Sequence, residues 1–131
     1  MIPAALQQGI KEFNEQEFYA CHDTLEALWM DSSEPDKRFY QGLLQVAVAC
    51  YHLHNLNWQG AVMLLGEGTR RLYDYQPHYG TINVEQLLTD SWNLLETLQQ
   101  TDPENVGEVL ERIKSDRPED KGYYLPIITI N

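Results

Sequence analysis

The sequence predicts an all-α fold: a compact antiparallel bundle of five to six helices with an extended C-terminal tail. Three observations carry this reading. Apolar residues recur at the 3.6-residue period over most of the chain. The segments between periodic stretches are short, which suits antiparallel neighbours in a bundle. One stretch, about Asp36 to Leu53, is apolar nearly all the way round, and such a helix belongs at the centre.

The elements follow in order. Pro3 suits a first helical turn, and Leu6, Gly9, Ile10 and Phe13 then share one face. Asn14 followed by Glu17 has capping-box spacing and predicts a second helix. That helix would bury Phe18, Cys21, Leu25, Leu28 and Trp29, and Asp31, Ser32 and Ser33 end it. Ser33 with Asp36 repeats the capping spacing, with Pro35 tolerated in the first turn.

In the third helix, Phe39, Leu43, Val46, Cys50 and Leu53 share a face, and Tyr40, Leu44, Ala47, Val48 and Tyr51 cover much of the rest. Only Gln41, Gln45 and His52 make a polar strip. Asn57 caps a fourth helix with the stripe Trp58, Ala61, Val62, Leu65, Thr69, Leu72 and Tyr73. Gly66 and Gly68 lie inside it, where each glycine costs about 1 kcal/mol relative to alanine. Close helix packing is the expected reason for both. Tyr75 to Gly80 reads as a loop. A fifth helix carries Val84, Leu87, Leu88, Ser91, Leu95 and Leu98, and Asp102-Pro103 opens a short sixth with Val106, Val109, Leu110 and Ile113.

Pro118, Gly122 and Pro126 forbid a further long helix, and Tyr123 to Ile130 is apolar enough to dock as an extended tail. The expected division is a bundle over residues 1–114 and a packed tail over residues 115–131. No internal repeat or low-complexity tract is visible.

Composition bounds the function. The chain has 131 residues, 43% of them hydrophobic and 22% charged, as a single globular domain should. Twenty acids against nine bases give a net charge of −11. Phosphate backbones and anionic lipid surfaces are bound through Lys and Arg, so nucleic-acid and membrane partners are not expected. Cys21 and Cys50 fall on apolar helical faces and read as small buried hydrophobes in a reducing cytoplasm. The first residues lack the pattern of a signal peptide, and no apolar run reaches the roughly 20 residues that span a bilayer. Tyr73, Tyr75, Tyr79, Tyr123 and Tyr124 offer an aromatic surface that would suit a protein partner or a homo-oligomer, set against a tail packing over its own bundle.

The residues that carry chemistry lie on helices two and three. With Phe18 as origin, His22 lies about 40° and Glu26 about 80° round the helix, which puts His22 on the core side and Glu26 at the rim of the apolar stripe. A carboxylate one turn from an imidazole orients the ring and favours its protonated form. The pair reads either as a proton-transfer or ligand-binding pair, or as a hydrogen-bonded structural one. The strip Gln41, Gln45 and His52 either meets water or faces His22 and Glu26 across the bundle. In the second arrangement the five side chains form a polar pocket that water or a ligand completes.

His22, Glu26 and His52 also make up a two-His-one-carboxylate set of the kind that holds a divalent metal. The supporting signatures are absent, however. No Glu-x-x-His and no His-Glu-x-x-His occurs. Nucleophile elbows, Walker loops and dinucleotide fingerprints are absent too.

The combination Phe13-Asn14, Phe18-Tyr19, His22, Glu26 and Trp29, then Tyr40-Gln41-Gly42-Leu43, Gln45, Ala47, Tyr51-His52, Asn57, Gly60-Ala61 and Leu64, resembles a bacterial and archaeal helical family, domain of unknown function 309. The likeness spans about Phe13 to Leu72. It departs from the family pattern at Asp23, an acid shorter than the usual glutamate. The resemblance implies an all-helical domain and brings no activity, substrate or cofactor. It singles out His22, Glu26, Trp29, Gln41, Gln45 and His52 as site candidates.

The expected function is therefore binding of a small molecule or ion in a polar pocket between helices two and three. A protein-interaction module, or an enzyme with His22 as general base and Glu26 as its orienter, are the alternatives.

Overall fold

The computed structural model describes residues 2–114 and 123–131. Among them are six α-helices: α1 (Ala4–Asn14), α2 (Phe18–Asp31), α3 (Asp36–His54), α4 (Trp58–Leu72), α5 (Val84–Gln99) and α6 (Val106–Lys114). The all-α bundle is as the periodicity predicts. A two-stranded hairpin, β1 (His78–Tyr79) and β2 (Ile82–Asn83), occupies the segment read as a loop. Two-residue strands are too short to leave an alternating pattern. The one local signal was Gly80, which takes the positive φ of +58° that the tight turn needs.

Helix α3 is the centre. Phe39, Leu43, Val46, Ala47, Ala49, Cys50 and Leu53 are almost wholly buried, and α2 and α4 pack on either side of it. Gly42 on α3 meets Gly68 on α4. A Cβ at Gly68 would come within 2.9 Å of Val46 Cγ2 and 3.0 Å of the Gly42 carbonyl oxygen. This seam needs two bare backbones to close. Gly66 has no such neighbour: nothing lies within 4 Å of its would-be Cβ. Close packing thus accounts for Gly68 and not for Gly66.

Capping follows the sequence in part. Asn57 Oδ1 accepts from Gly60 N (2.9 Å), and Asn83 Oδ1 accepts from Gln86 N (2.9 Å) at the start of α5. Neither predicted capping box at α2 or α3 forms. Asn14 ends α1, and Glu17 precedes α2 without a side-chain cap. At α3 the Glu34 carboxylate, not Ser33, reaches the free N–H of Arg38 (2.9 Å).

The described part of the tail is extended and docked. Ile128 is buried. Its neighbours pair with the hairpin through Asn83 N–H to Thr129 O (2.9 Å) and Asn131 N–H to Thr81 O (2.8 Å). The first tail residues, 115–122, lie outside the described residues. Among the described residues, no helix is long and apolar enough to cross a membrane.

Candidate functional site on helices α2 and α3

Helix α2 buries only Phe18, Cys21 and Leu25 fully, so its stripe is narrow and the flank beside it meets solvent. That flank carries Tyr19, His22, Asp23, Glu26 and Met30. His22 Nε2 lies 3.1 Å from Glu26 Oε2, and His22 Nδ1 lies 3.2 Å from Asp23 Oδ1. The His22 and Glu26 side chains are 36% and 45% exposed. The pair forms as its spacing requires, but on the surface and not on the core side.

Both imidazole nitrogens face a carboxylate. The protonated ring donates to both acids at once, whereas the neutral ring can satisfy only one. With Glu26 on one nitrogen and Asp23 on the other, the ring is engaged on both sides.

The polar strip of α3 turns elsewhere. Gln45 Oε1 accepts from Arg71 Nη1 of α4 (3.1 Å). His52 Nδ1 accepts from Asn57 Nδ2 (3.2 Å), and its ring lies so close to α4 that a Cβ at Gly60 would sit 2.7 Å from it. Gln41 is half-buried and makes no side-chain hydrogen bond among the described residues. His22 bonds to Glu26 and to Asp23, and neither His22 nor Glu26 bonds to Gln41, Gln45 or His52. The expected five-residue pocket is thus not assembled: the strip closes the α3–α4 seam while the pair lies on the outer flank of α2. Trp29 is drawn toward the α2–α3 turn, where Lys37 Nζ sits 4.6 Å over its ring and donates to its carbonyl (3.0 Å).

The proposed metal trio separates for the same reason. Among the described residues, no group of three or more His, Cys, Asp or Glu side chains is placed to hold a metal ion.

Between α2 and α3 there is nevertheless a hollow of about 320 Å³, open to solvent and lined by Glu17, Phe18, Tyr19, Tyr51, His54 and Asn55 among others. Tyr19 and Tyr51 bring their rings to 5.7 Å across the seam, and Tyr19 is 63% exposed. The Tyr19 ring also lies 6.2 Å from that of His22. The hollow therefore adjoins the imidazole–carboxylate cluster.

The chain matches the family model described as "Domain of unknown function (DUF309)" over residues 6–64, which run from α1 through the first half of α4. Over residues 6–64 the chain thus resembles DUF309 domains. The uncharacterized protein YpuF of Bacillus subtilis (strain 168) is 35% identical over 117 residues, covering 88% of this chain. The chain spans 62% of YpuF's own length. No solved structure matches the chain. The matched segment contains His22, Glu26, Tyr19, Tyr51 and the α3 strip.

Other concavities lie outside the expected site. The hairpin, the start of α1 and the start of α3 enclose about 360 Å³ lined by Leu6, Asp36, Phe39, Tyr40, Tyr79 and Ile82 among others. There the Tyr79 hydroxyl donates to the Asp36 carboxylate, and Tyr75 donates to the Pro35 carbonyl (2.7 Å). Burial first, then the Asp36 carboxylate, pushes the Tyr79 phenol well above its usual range. The tyrosines expected to gather instead divide. Tyr75 and Tyr79 pack on Phe39, Tyr73 on Trp92, and Tyr123 under Arg112.

Proposed function

We propose that this protein is an interaction module that receives a basic segment of a partner protein on the α2–α3 seam. The observation that carries the reading is the exposed Tyr19 ring. It is paired with Tyr51 over the open hollow that Glu17 also lines, and it adjoins His22, whose ring nitrogens meet the carboxylates of Asp23 and Glu26. An aromatic face beside carboxylates attracts ammonium and guanidinium groups. The net charge of −11 steers such a partner inward. The small-molecule pocket of His22, Glu26, Gln41, Gln45 and His52 has less support, because Gln45 and His52 are already engaged by α4.

The test must separate this seam from bulk attraction of a polycation to an acidic protein. Tyr19→Ala leaves the charge unchanged. Its affinity for a labelled Lys/Arg-rich peptide, measured by fluorescence anisotropy, is expected to fall by about threefold to tenfold. Tyr73→Ala, an exposed tyrosine elsewhere, is the control and should not alter binding. Equal affinity in the two variants would remove the proposal.

A further inference from the structure

The glycine that packing does not explain leads to a second site. Gly66 lies in the middle of α4, where it weakens the helix, and its face is bare. It forms part of a surface cleft of about 420 Å³ whose other lining residues are Arg38, Thr69, Arg70, Tyr73, Asp74 and Trp92. The cleft runs from α3 across α4 to α5.

The chemistry of this lining is opposite to that of the rest of the surface. Only nine bases stand against twenty acids in the whole chain, yet two guanidinium groups meet in one cleft. Neither the Arg38 nor the Arg70 side chain makes a hydrogen bond or ion pair among the described residues, and Asp74 on the same rim is paired with neither. Opposite the arginines, Tyr73 and Trp92 bring their rings to 6.2 Å at 46°, and both remain exposed, Tyr73 the more so. Between them the floor is empty because residue 66 has no side chain. Thr69 directs its hydroxyl into its own helix, donating to the Leu65 carbonyl (2.7 Å).

We infer that this cleft binds a small aromatic anion, a planar ring carrying a phosphate or carboxylate group. The guanidinium forks of Arg38 and Arg70 would take the anionic oxygens, since planar paired donors match phosphate and carboxylate geometry. The ring would lie over the bare face of Gly66 against Tyr73 and Trp92, where aromatic faces stack. Asp74 sets a limit on the ligand: a second negative charge at the Asp74 end would be repelled. The inference is independent of the α2–α3 seam, because the two sites share no residue.

Calorimetric titration of the full chain with phenyl phosphate and benzoate tests it, with inorganic phosphate and benzyl alcohol as single-feature controls. At least one aromatic anion is expected to bind about tenfold more tightly than either control. Binding should also change the fluorescence of Trp92, identified among the three tryptophans by its loss in Trp92→Phe. Gly66→Leu places its Cβ in open space and its branched end in the cleft, and should abolish binding while the protein remains folded. Arg38→Gln and Arg70→Gln should each weaken binding by about tenfold. Should Gly66→Leu prove unstable, Gly66→Ala, which also intrudes on the floor, gives the same reading at smaller size. No heat and no fluorescence change with either aromatic anion at millimolar concentration would overturn the inference. So would unchanged affinity in both Gly66 variants.

Discussion

The side-chain amide of Asn14 exchanges two hydrogen bonds with the backbone of Ile128, donating from Nδ2 to the carbonyl (2.8 Å) and accepting at Oδ1 from the N–H (2.8 Å). The last turn of α1 thereby acts as one rung of a sheet and holds the tail extended against the bundle. Ile128, with its buried side chain, is fixed at this point.

Asn14→Ala should therefore release the tail. Two partly buried backbone groups lose their partners, at about 1–3 kcal/mol. Hydrogen exchange at the Ile128 and Thr129 amides should accelerate, while amides in the middle of α3 keep their protection. Asn14→Asp, which can accept but not donate, should fall between. Unchanged exchange at Ile128 in Asn14→Ala would show that the side-chain rung does not hold the tail.

The two glycines of α4 should respond to alanine with opposite sign. At Gly68 the new methyl meets the backbone of α3 at 3.0–3.1 Å, at Gly42 O and Val46 N, which can yield only by moving the helices apart. A loss of about 1–3 kcal/mol is expected. At Gly66 the methyl meets nothing, and the gain in helix propensity should stabilise the fold by about 0.5–1 kcal/mol. Urea denaturation of the two variants measures both, and losses of equal size would contradict the difference in packing.

These cases show which features the sequence could reveal. The helices were legible because their pattern repeats every few residues, and the His22–Glu26 contact was legible because four residues make one turn. Asn57 was legible as a cap because its acceptor and the Gly60 N–H are neighbours in the chain. Asn14 carries a capping pattern that does not form, because its partner lies 114 residues away, and such a pattern looks the same whether or not something else claims the side chain. Gly66 and Gly68 look alike in sequence, and only the position of α3 distinguishes them. The polar strip was visible as a strip. Whether it faced α2 or α4 depended on the rotation of α3, which Arg71 and Asn57 reveal only when folded.

Both thiols should be inert in the folded protein. Burial, and then the Glu12 carboxylate, pushes Cys21 up to about 12, and burial raises Cys50 further still. Cys21 also donates to the Gly9 carbonyl (3.3 Å). At pH 8 the reactive thiolate of Cys21 is then on the order of one part in ten thousand. Iodoacetamide should label neither cysteine in native buffer and both in denaturant, as mass spectrometry would show. Native labelling at a rate typical of free thiols would mean that the α1–α2–α3 packing opens readily.

Asp90 should make the docked tail sensitive to pH. Its Oδ2 accepts from Ile127 N (3.5 Å) and its Oδ1 from Gln86 Nε2 (2.8 Å). Burial nevertheless outweighs these bonds and raises its carboxyl above the ordinary 3.8. The folded state then holds a proton that the unfolded state has already released. Within that interval stability falls as pH rises, and above it the penalty of keeping a half-buried carboxylate charged is present in full. Asp90→Asn retains an oxygen acceptor for Ile127 and removes the charge. It should be more stable than the parent at neutral pH, and the difference should shrink as pH falls toward 4. Thermal denaturation of both proteins across this range tests the sign directly. A parent more stable than Asp90→Asn at pH 7 would mean that the hydrogen bonds of the charged carboxylate outweigh its burial.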